Sequence, residues 1–574
     1  MKKTCWILLF FIAALYLLPA VFRPLMAPEE FRCAEISREM AASGNFISTR
    51  LLGVRCFEKP PMAYWLTAGS FKLFGQNAFA LRLIPILGAV GSAFFLFLWC
   101  RRRKYSTETG VNAMFLYLSG TMVWLFGSFA AVDSLFCMWT TASLVTFAIA
   151  IESRELKERI FMLVCGGAAM GCGFLTMGFS AFVLPGISIA VYLLWQKRWK
   201  EFFLLPWIPL IVSSAVIAPW GLAIHKAEPE FWRYFIVYEH FQRFTTWSAS
   251  EGGKPFWLLL PFFAAGLFPA LFPVITALSG LRKNGWQELC VLPETRLSFC
   301  AAVLFLLFLS ASGGKMPSYV LPCFAPAAML GAMILDKIDP ERGIPKLRKV
   351  TTVFSVIFVI VGSLALLGVL FYLLWGTGFI PTLPLKVAVW TLALTTAALG
   401  LVFSGTSLFV YRKNKLPEPC SFFILFGIPV LICVWFLPVF TANYKMPEYE
   451  LLEIATQIST EKLHPPRIIS SPELAHAAAW CFKDSSVRLL NGTGGLEYGH
   501  RYAVANGERP LMLSYSETSA LLKNPARKEP ILIIMRKQSI DEFSKHLATG
   551  KQLTTAGELC AFYYPGNKGK TNTK

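Results

Sequence analysis

The chain has 574 residues, of which 55% are hydrophobic, 15% aromatic and only 15% charged. An average soluble protein is roughly a quarter charged, so an ordinary soluble enzyme is excluded. The 54 basic against 34 acidic residues give a net charge of +20, which in a soluble domain would point to nucleic acid. Here the apolar residues fall in runs of about 17 to 25, each long enough to cross a bilayer. The charge therefore becomes a question of membrane sidedness, and no nucleic-acid partner is expected.

Lys2 and Lys3 precede an apolar stretch from Trp6 to Phe22. No clear small-x-small cleavage site follows and further spans do, so it reads as a retained first helix. Further runs lie near 79–100, 109–128, 131–151, 160–176, 179–195, 202–221, 256–280, 297–311, 319–335, 350–375, 385–411 and 420–441. The fold class expected is a polytopic α-helical membrane protein of about 13 spans. Arg101 to Lys104, Lys197 to Lys200, Arg282-Lys283, the 336–349 loop and Arg412-Lys413 then fall on the same face as the N-terminus, which the positive-inside rule makes cytoplasmic. The opposite face receives the longer segments 23–78 and 222–255, and everything after about 442. The domain division is therefore 1–441, transmembrane, and 442–574, an outer α/β domain. In that tail, apolar runs at 467–470, 531–535 and 561–564 alternate with helix-like stretches at 472–482 and 538–548.

The polar residues that look chemical map to the outer face. In Pro28-Glu29-Glu30-Phe31-Arg32 two carboxylates open a helix just past a span. They are either the acidic first turn of a helix or carboxylates held at the surface to orient or deprotonate an acceptor. Asp133, at the outer end of an apolar run, is either a solvated cap or a costly acid facing a polar cavity. In Phe57-Glu58-Lys59-Pro60 the charges either anchor the loop at the interface, or Lys59 neutralises a lipid phosphate while Glu58 binds a metal or positions a sugar. Glu239-His240-Phe241-Gln242-Arg243 adds a guanidinium shaped for phosphate and a histidine that is either a ligand or a packed side chain. Ser312-Gly313-Gly314-Lys315-Met316-Pro317-Ser318-Tyr319 reads as a glycine-rich turn bringing Lys315 to an anion; its Ser-x-x-Lys lacks the partner motifs of a penicillin-binding nucleophile. Gly492-Thr493-Gly494-Gly495 imitates a phosphate loop but reads as a plain turn, and no nucleotide cofactor is expected. Of the 14 cysteines, Cys33, Cys56, Cys481 and Cys560 lie outside the spans. Either of the two pairs has the option of a disulfide, which spacing does not decide.

Arg32 with Ala34 to Met40, Phe57-Glu58-Lys59-Pro60, Glu239-His240-x-Gln242-Arg243-Phe244, Gly314-Lys315-x-Pro317-x-Tyr319 and Leu496-Glu497-Tyr498-Gly499 occur in order along the chain. Together they resemble the bacterial 4-amino-4-deoxy-L-arabinose (aminoarabinose) lipid A transferases, within the GT-C group that includes protein O-mannosyltransferases. The resemblance implies a sugar taken from undecaprenyl phosphate and passed to a lipid A phosphate at the periplasmic face of the inner membrane, which weakens binding of cationic peptides such as polymyxin. It implies Glu29 and Asp133 as the acidic pair near the sugar, and Lys59, Arg243 and Lys315 at the donor phosphate. Glu30, Arg32 and Tyr319 would position substrate, and Glu58 with His240 would form an open divalent-metal pair. The chain departs from the family at Glu29, usually Asp, at Cys33 and Cys56, usually Tyr, and at Met177, usually Lys. Those departures leave open a sister polyprenyl-phosphate glycosyltransferase with another sugar or acceptor. A transporter, which would show paired repeats, has no such support.

Overall fold

The computed structural model describes residues 16–17, 20–242, 254–268, 270–338, 343–371, 398, 402, 447–464, 466–546, 550–555 and 557–566. Its contacts divide the chain into two compact units. One comprises Met1–Ala20, Ile84–His225 and Trp232–Phe440, and the other Val21–Leu83, Lys226–Phe231 and Thr441–Lys574. The segment expected as a loop on the membrane domain, 23–78, is thus grouped with the C-terminal tail.

The first unit is built of apolar helices. Among the described residues, six helices in the whole chain are long and apolar enough to span a membrane, or seven if a bent pair counts as one. The run at 109–128 is that bent pair: helices Thr107–Leu118 and Thr121–Gly127 meet at 71°. The sharp bend falls at Ser119-Gly120, where Ser119 closes the first helix and extended Gly120 opens the next. The run at 256–280 is likewise broken, into Leu259–Gly266 and Leu271–Gly280. Most of the runs at 6–22, 385–411 and 420–441 lies outside the described residues.

The second unit holds helix Glu29–Ser43, the two-stranded hairpin β1 (Arg50–Leu51) and β2 (Val54–Arg55), and helix Met62–Phe74. Its tail forms a six-stranded sheet from β3 (Arg467–Ser470), β4 (Arg488–Leu490), β5 (Met512–Leu513), β6 (Ile531–Arg536), β7 (Lys551–Thr554) and β8 (Leu559–Tyr564), in the order β5-β4-β3-β6-β8-β7. The first four strands of that order are parallel, and β8 and β7 add on antiparallel. Strand β6 is buried along its full length, the pattern of a strand covered on both faces. Ile469, Leu490, Ile533, Phe543 and Phe562 form the core around it. Helix Ala475–Phe482 follows β3, and helix Glu497–Ala505 follows β4.

Cys33, Cys56, Cys481 and Cys560 are all free thiols, so neither disulfide is present. Burial pushes the Cys56 thiol up to about 11 even with Arg32 pulling the other way. It stays protonated at neutral pH, which makes it a poor partner for thiol exchange.

Candidate active site

In the second unit the turn 23–30 is organised by one carboxylate. Glu30 is fully buried. Its two oxygens receive Nε and Nη2 of Arg82 at 2.7 Å each, Nη2 of Arg23 at 3.2 Å and the Met26 amide at 2.9 Å. Arg82, also fully buried, donates further to the carbonyls of Arg23 at 2.6 Å and Pro24 at 2.9 Å. A fork of donors so fully used makes this a fixed joint. The expectation that Glu30 positions substrate is corrected: its oxygens are committed to arginines and backbone inside the protein. What the joint delivers is Glu29, the exposed first residue of its helix, which also explains why two adjacent glutamates have opposite environments.

Ten residues along that helix, Glu39 accepts the amides of Leu52 at 2.6 Å and Gly53 at 3.1 Å. Both turn residues have positive φ, 55° and 78°, as a two-residue hairpin requires. Burial and neighbouring Glu35 push the Glu39 carboxyl up to about 8, against the pull of the two amides. The hairpin fixed in this way sends β2 into Cys56-Phe57-Glu58-Lys59. Arg32 and Glu58 form an ion pair, and Nη2 of Arg32 lies 3.6 Å from Sγ of Cys56. Lys59, next along the turn, is half-buried. Glu29, Arg32, Glu58 and Lys59 therefore belong to one hairpin-and-helix assembly.

Residues distant in sequence brace that assembly. Arg55 of β2 pairs with Glu228 at 2.7 Å and with Glu508 at 2.8 Å, and its guanidinium lies 4.2 Å from the Tyr502 ring centre. Ser48 donates to Glu228 at 3.0 Å. Phe57 meets the ring of Phe231 edge-on at 5.1 Å and that of Tyr498 at 5.9 Å. The motif Leu496-Glu497-Tyr498-Gly499 thus acquires a physical reason. Tyr498 packs beside the Glu58–Lys59 turn, and a Cβ on Gly499 would stand 2.4 Å from the Arg55 carbonyl oxygen. Gly499→Ala is expected to push the helix off β2, cost about 1–3 kcal/mol as overpacking does, and lower the rate of the reaction assigned below. A thermal melt and a rate measurement check it; an unchanged melt contradicts the close approach. None of Arg55, Glu228, Glu508, Arg82 or Glu39 was singled out from sequence. Arg82 alone had a local signal, as the charge inside an apolar run.

In the first unit Asp133 is half-buried and opens helix Asp133–Glu152. Ser134 beside it donates to the Pro85 carbonyl at 2.7 Å, and a Cβ on Gly88 would stand 2.6 Å from the Ser134 carbonyl. The acid is therefore carried on a closely packed helix start. Tyr319 is half-buried on a short 3-10 helix, Pro317–Cys323. Lys315 needs correction as a phosphate ligand. It is 4% exposed, and its ammonium donates to the carbonyls of Ser312 at 2.8 Å and Lys254 at 3.2 Å. The turn folds the lysine inward to close on its own backbone. Arg243 lies outside the described residues.

His240 packs against Phe235 and Phe179, with ring centres 4.4 Å and 5.2 Å away, and touches Gly178 next to Met177. Its Nδ1 is 2.8 Å from the Phe235 carbonyl, and its Nε2 is 3.4 Å from the Phe179 amide. Both ring nitrogens face backbone, while the Glu58 carboxylate is paired with Arg32. Among the described residues no group of three or more His, Cys, Asp or Glu side chains is arranged to hold a metal. These environments do not fit a Glu58–His240 metal pair, and no step below runs through a metal. Gly492 to Gly495 form a turn in which Gly494 and Gly495 have φ of 56° and 92°, leading into helix Glu497–Ala505.

The profile of the dolichyl-phosphate-mannose-protein mannosyltransferases matches residues 1–235, and that of the arabinosyl transferase ArnT C-terminal domain matches residues 443–563. The undecaprenyl phosphate-α-4-amino-4-deoxy-L-arabinose arabinosyl transferase of Aeromonas hydrophila is 32% identical over 99% of this chain and 100% of its own. That of Edwardsiella ictaluri is 35% identical over 88% of this chain and 90% of its own. Among solved structures, ArnT from Cupriavidus metallidurans bound to undecaprenyl phosphate superimposes with a TM-score of 0.78 over 98% of both chains at 19% identity. The fold is therefore shared with that protein.

Proposed function

Because the chain belongs to the undecaprenyl phosphate-α-4-amino-4-deoxy-L-arabinose arabinosyl transferases, we propose that it moves 4-amino-4-deoxy-L-arabinose from undecaprenyl phosphate to a phosphate of lipid A. The observation that carries this reading is the end-to-end similarity to relatives of that activity. In this reading the enzyme has 13 spans in the inner membrane, with its N-terminus cytoplasmic and its α/β domain and reacting surface periplasmic.

The chemistry asks little of a base. A lipid A phosphate is anionic at neutral pH, so its oxygen attacks the anomeric carbon directly. One C–O bond forms as the C–O bond to undecaprenyl phosphate breaks, and the electron pair leaves with that phosphate. Glu29, exposed at its helix start, and Asp133 orient the sugar and attract its amino group. Lys59 meets the negative charge gathering on the departing phosphate, as electrostatic stabilisation of a transition state requires, and Arg243 shares that task. Arg32, by pairing with Glu58, keeps the Glu58–Lys59 turn in place. Such a product carries an added cation on lipid A, which fits resistance to cationic peptides such as polymyxin. The test is reconstitution: purified protein supplied with undecaprenyl-phosphate-linked aminoarabinose and lipid A should release undecaprenyl phosphate and label lipid A. A donor carrying another sugar used at equal or greater rate would reassign the substrate.

A further inference from the structure

The C-terminal α/β fold sends one titratable side chain toward the Arg32–Glu58 pair. His476 is the second residue of helix Ala475–Phe482, a helix whose sequence Ala475-His476-Ala477-Ala478-Ala479 offers almost no bulk. The alanines are buried, which lets this helix pack closely on helix Glu29–Ser43, and Trp480 meets Phe71 of helix Met62–Phe74 with ring centres 5.6 Å apart. The charges that act on the His476 imidazole are those of Arg32 and Glu58. Cys56 and Tyr64 stand around the same guanidinium. Helix Glu448–Thr460, packed on the other side, contributes Glu448, which acts on Cys481 and Lys483 at the far end of the histidine's helix.

We propose that His476 is a positioning residue for the transfer reaction: a neutral imidazole of the C-terminal fold that holds the Arg32–Glu58 pair, and through it the Lys59 turn, in register. The role in the reaction rests on the functional reading above. Burial first, and the Arg32 cation second, lower its pKa to about 4, while Glu58 works the other way. At neutral pH the ring is therefore uncharged, with one donor and one acceptor to offer the pair. A cation there would compete with Arg32 for Glu58. Only a neutral group can support both partners.

Two measurements test this. The first compares wild type, His476→Ala and His476→Gln in the reconstituted transfer assay, with a thermal melt for each. Misplacing a group near the reacting atoms costs on the order of tenfold to a hundredfold in rate, and such a fall in kcat is expected for His476→Ala. His476→Gln, which keeps a neutral donor and acceptor, should retain most of the rate. The second follows the titration of the six histidines by NMR of side-chain-labelled protein, with His476 assigned by its loss in His476→Gln. Its midpoint should rise toward 6.5 in Arg32→Gln and fall further in Glu58→Gln. A midpoint that ignores both substitutions overturns the proposal. So does full activity in His476→Ala, or a glutamine variant as slow as the alanine variant with a wild-type melt. Wild-type protein that transfers no aminoarabinose defeats the functional reading instead, and the titration still decides whether His476 faces the pair.

Discussion

Arg82→Ala is expected to be among the most damaging single substitutions in the chain. It removes the bidentate partner of Glu30 and the donors to the Arg23 and Pro24 carbonyls at once. Removing one member of a buried pair costs about 3–5 kcal/mol, because the other charge stays behind without compensation. That is a large part of the roughly 5–15 kcal/mol by which a folded protein is stable. The expected result is a sharp fall in the yield of folded protein and in melting temperature, with activity lost as a consequence. Replacing Glu30 as well should recover only part of the loss, since Arg23 would then lack its carboxylate. A single variant that melts like the wild type would show that the turn before Glu29 is held by something else.

Lys59→Ala should do the opposite: leave the fold intact and stop the reaction. The hairpin that carries this turn is held by Glu39, Arg55 and the Phe57 ring contacts, none of which uses the lysine side chain. Removing one group that stabilises charge developing in a transition state costs about 10²–10³-fold in kcat. The check is a transfer assay beside a thermal melt. Full activity with a wild-type melt would take Lys59 out of the donor phosphate site.

Much of this architecture was legible in the sequence because length and charge placement are coarse, robust signals. Helices Ala78–Arg102, Asp133–Glu152 and Leu156–Met177 lie where their apolar runs put them. The bend at Ser119-Gly120 and the break between Gly266 and Leu271 were missed, since an uninterrupted apolar run looks the same straight or broken. In the tail, strands β3, β6 and β8 announced themselves as apolar runs. Strands β4, β5 and β7, of three, two and four residues, are too short to carry a pattern. At the site, motif reading found Glu29, Arg32, Glu58 and Lys59, but not which face each presents. Glu29 and Glu30 are equivalent on paper and opposite in the fold. Lys315 sits in a glycine-rich turn that reads as an anion cradle, yet burial turns its ammonium onto carbonyls. The brace of Arg55 with Glu228 and Glu508 spans 173 and 453 positions, beyond the reach of any local pattern.

The central claim is that this chain puts aminoarabinose on lipid A. Mass spectrometry of lipid A tests it most directly, using a strain that makes the undecaprenyl-phosphate-linked donor but lacks its own transferase, with and without this gene. The account predicts that lipid A gains the mass of one or more aminoarabinose residues only when the gene is present, and that the gain disappears with Lys59→Ala. A spectrum unchanged by the wild-type gene, with the protein folded in the membrane, would contradict it.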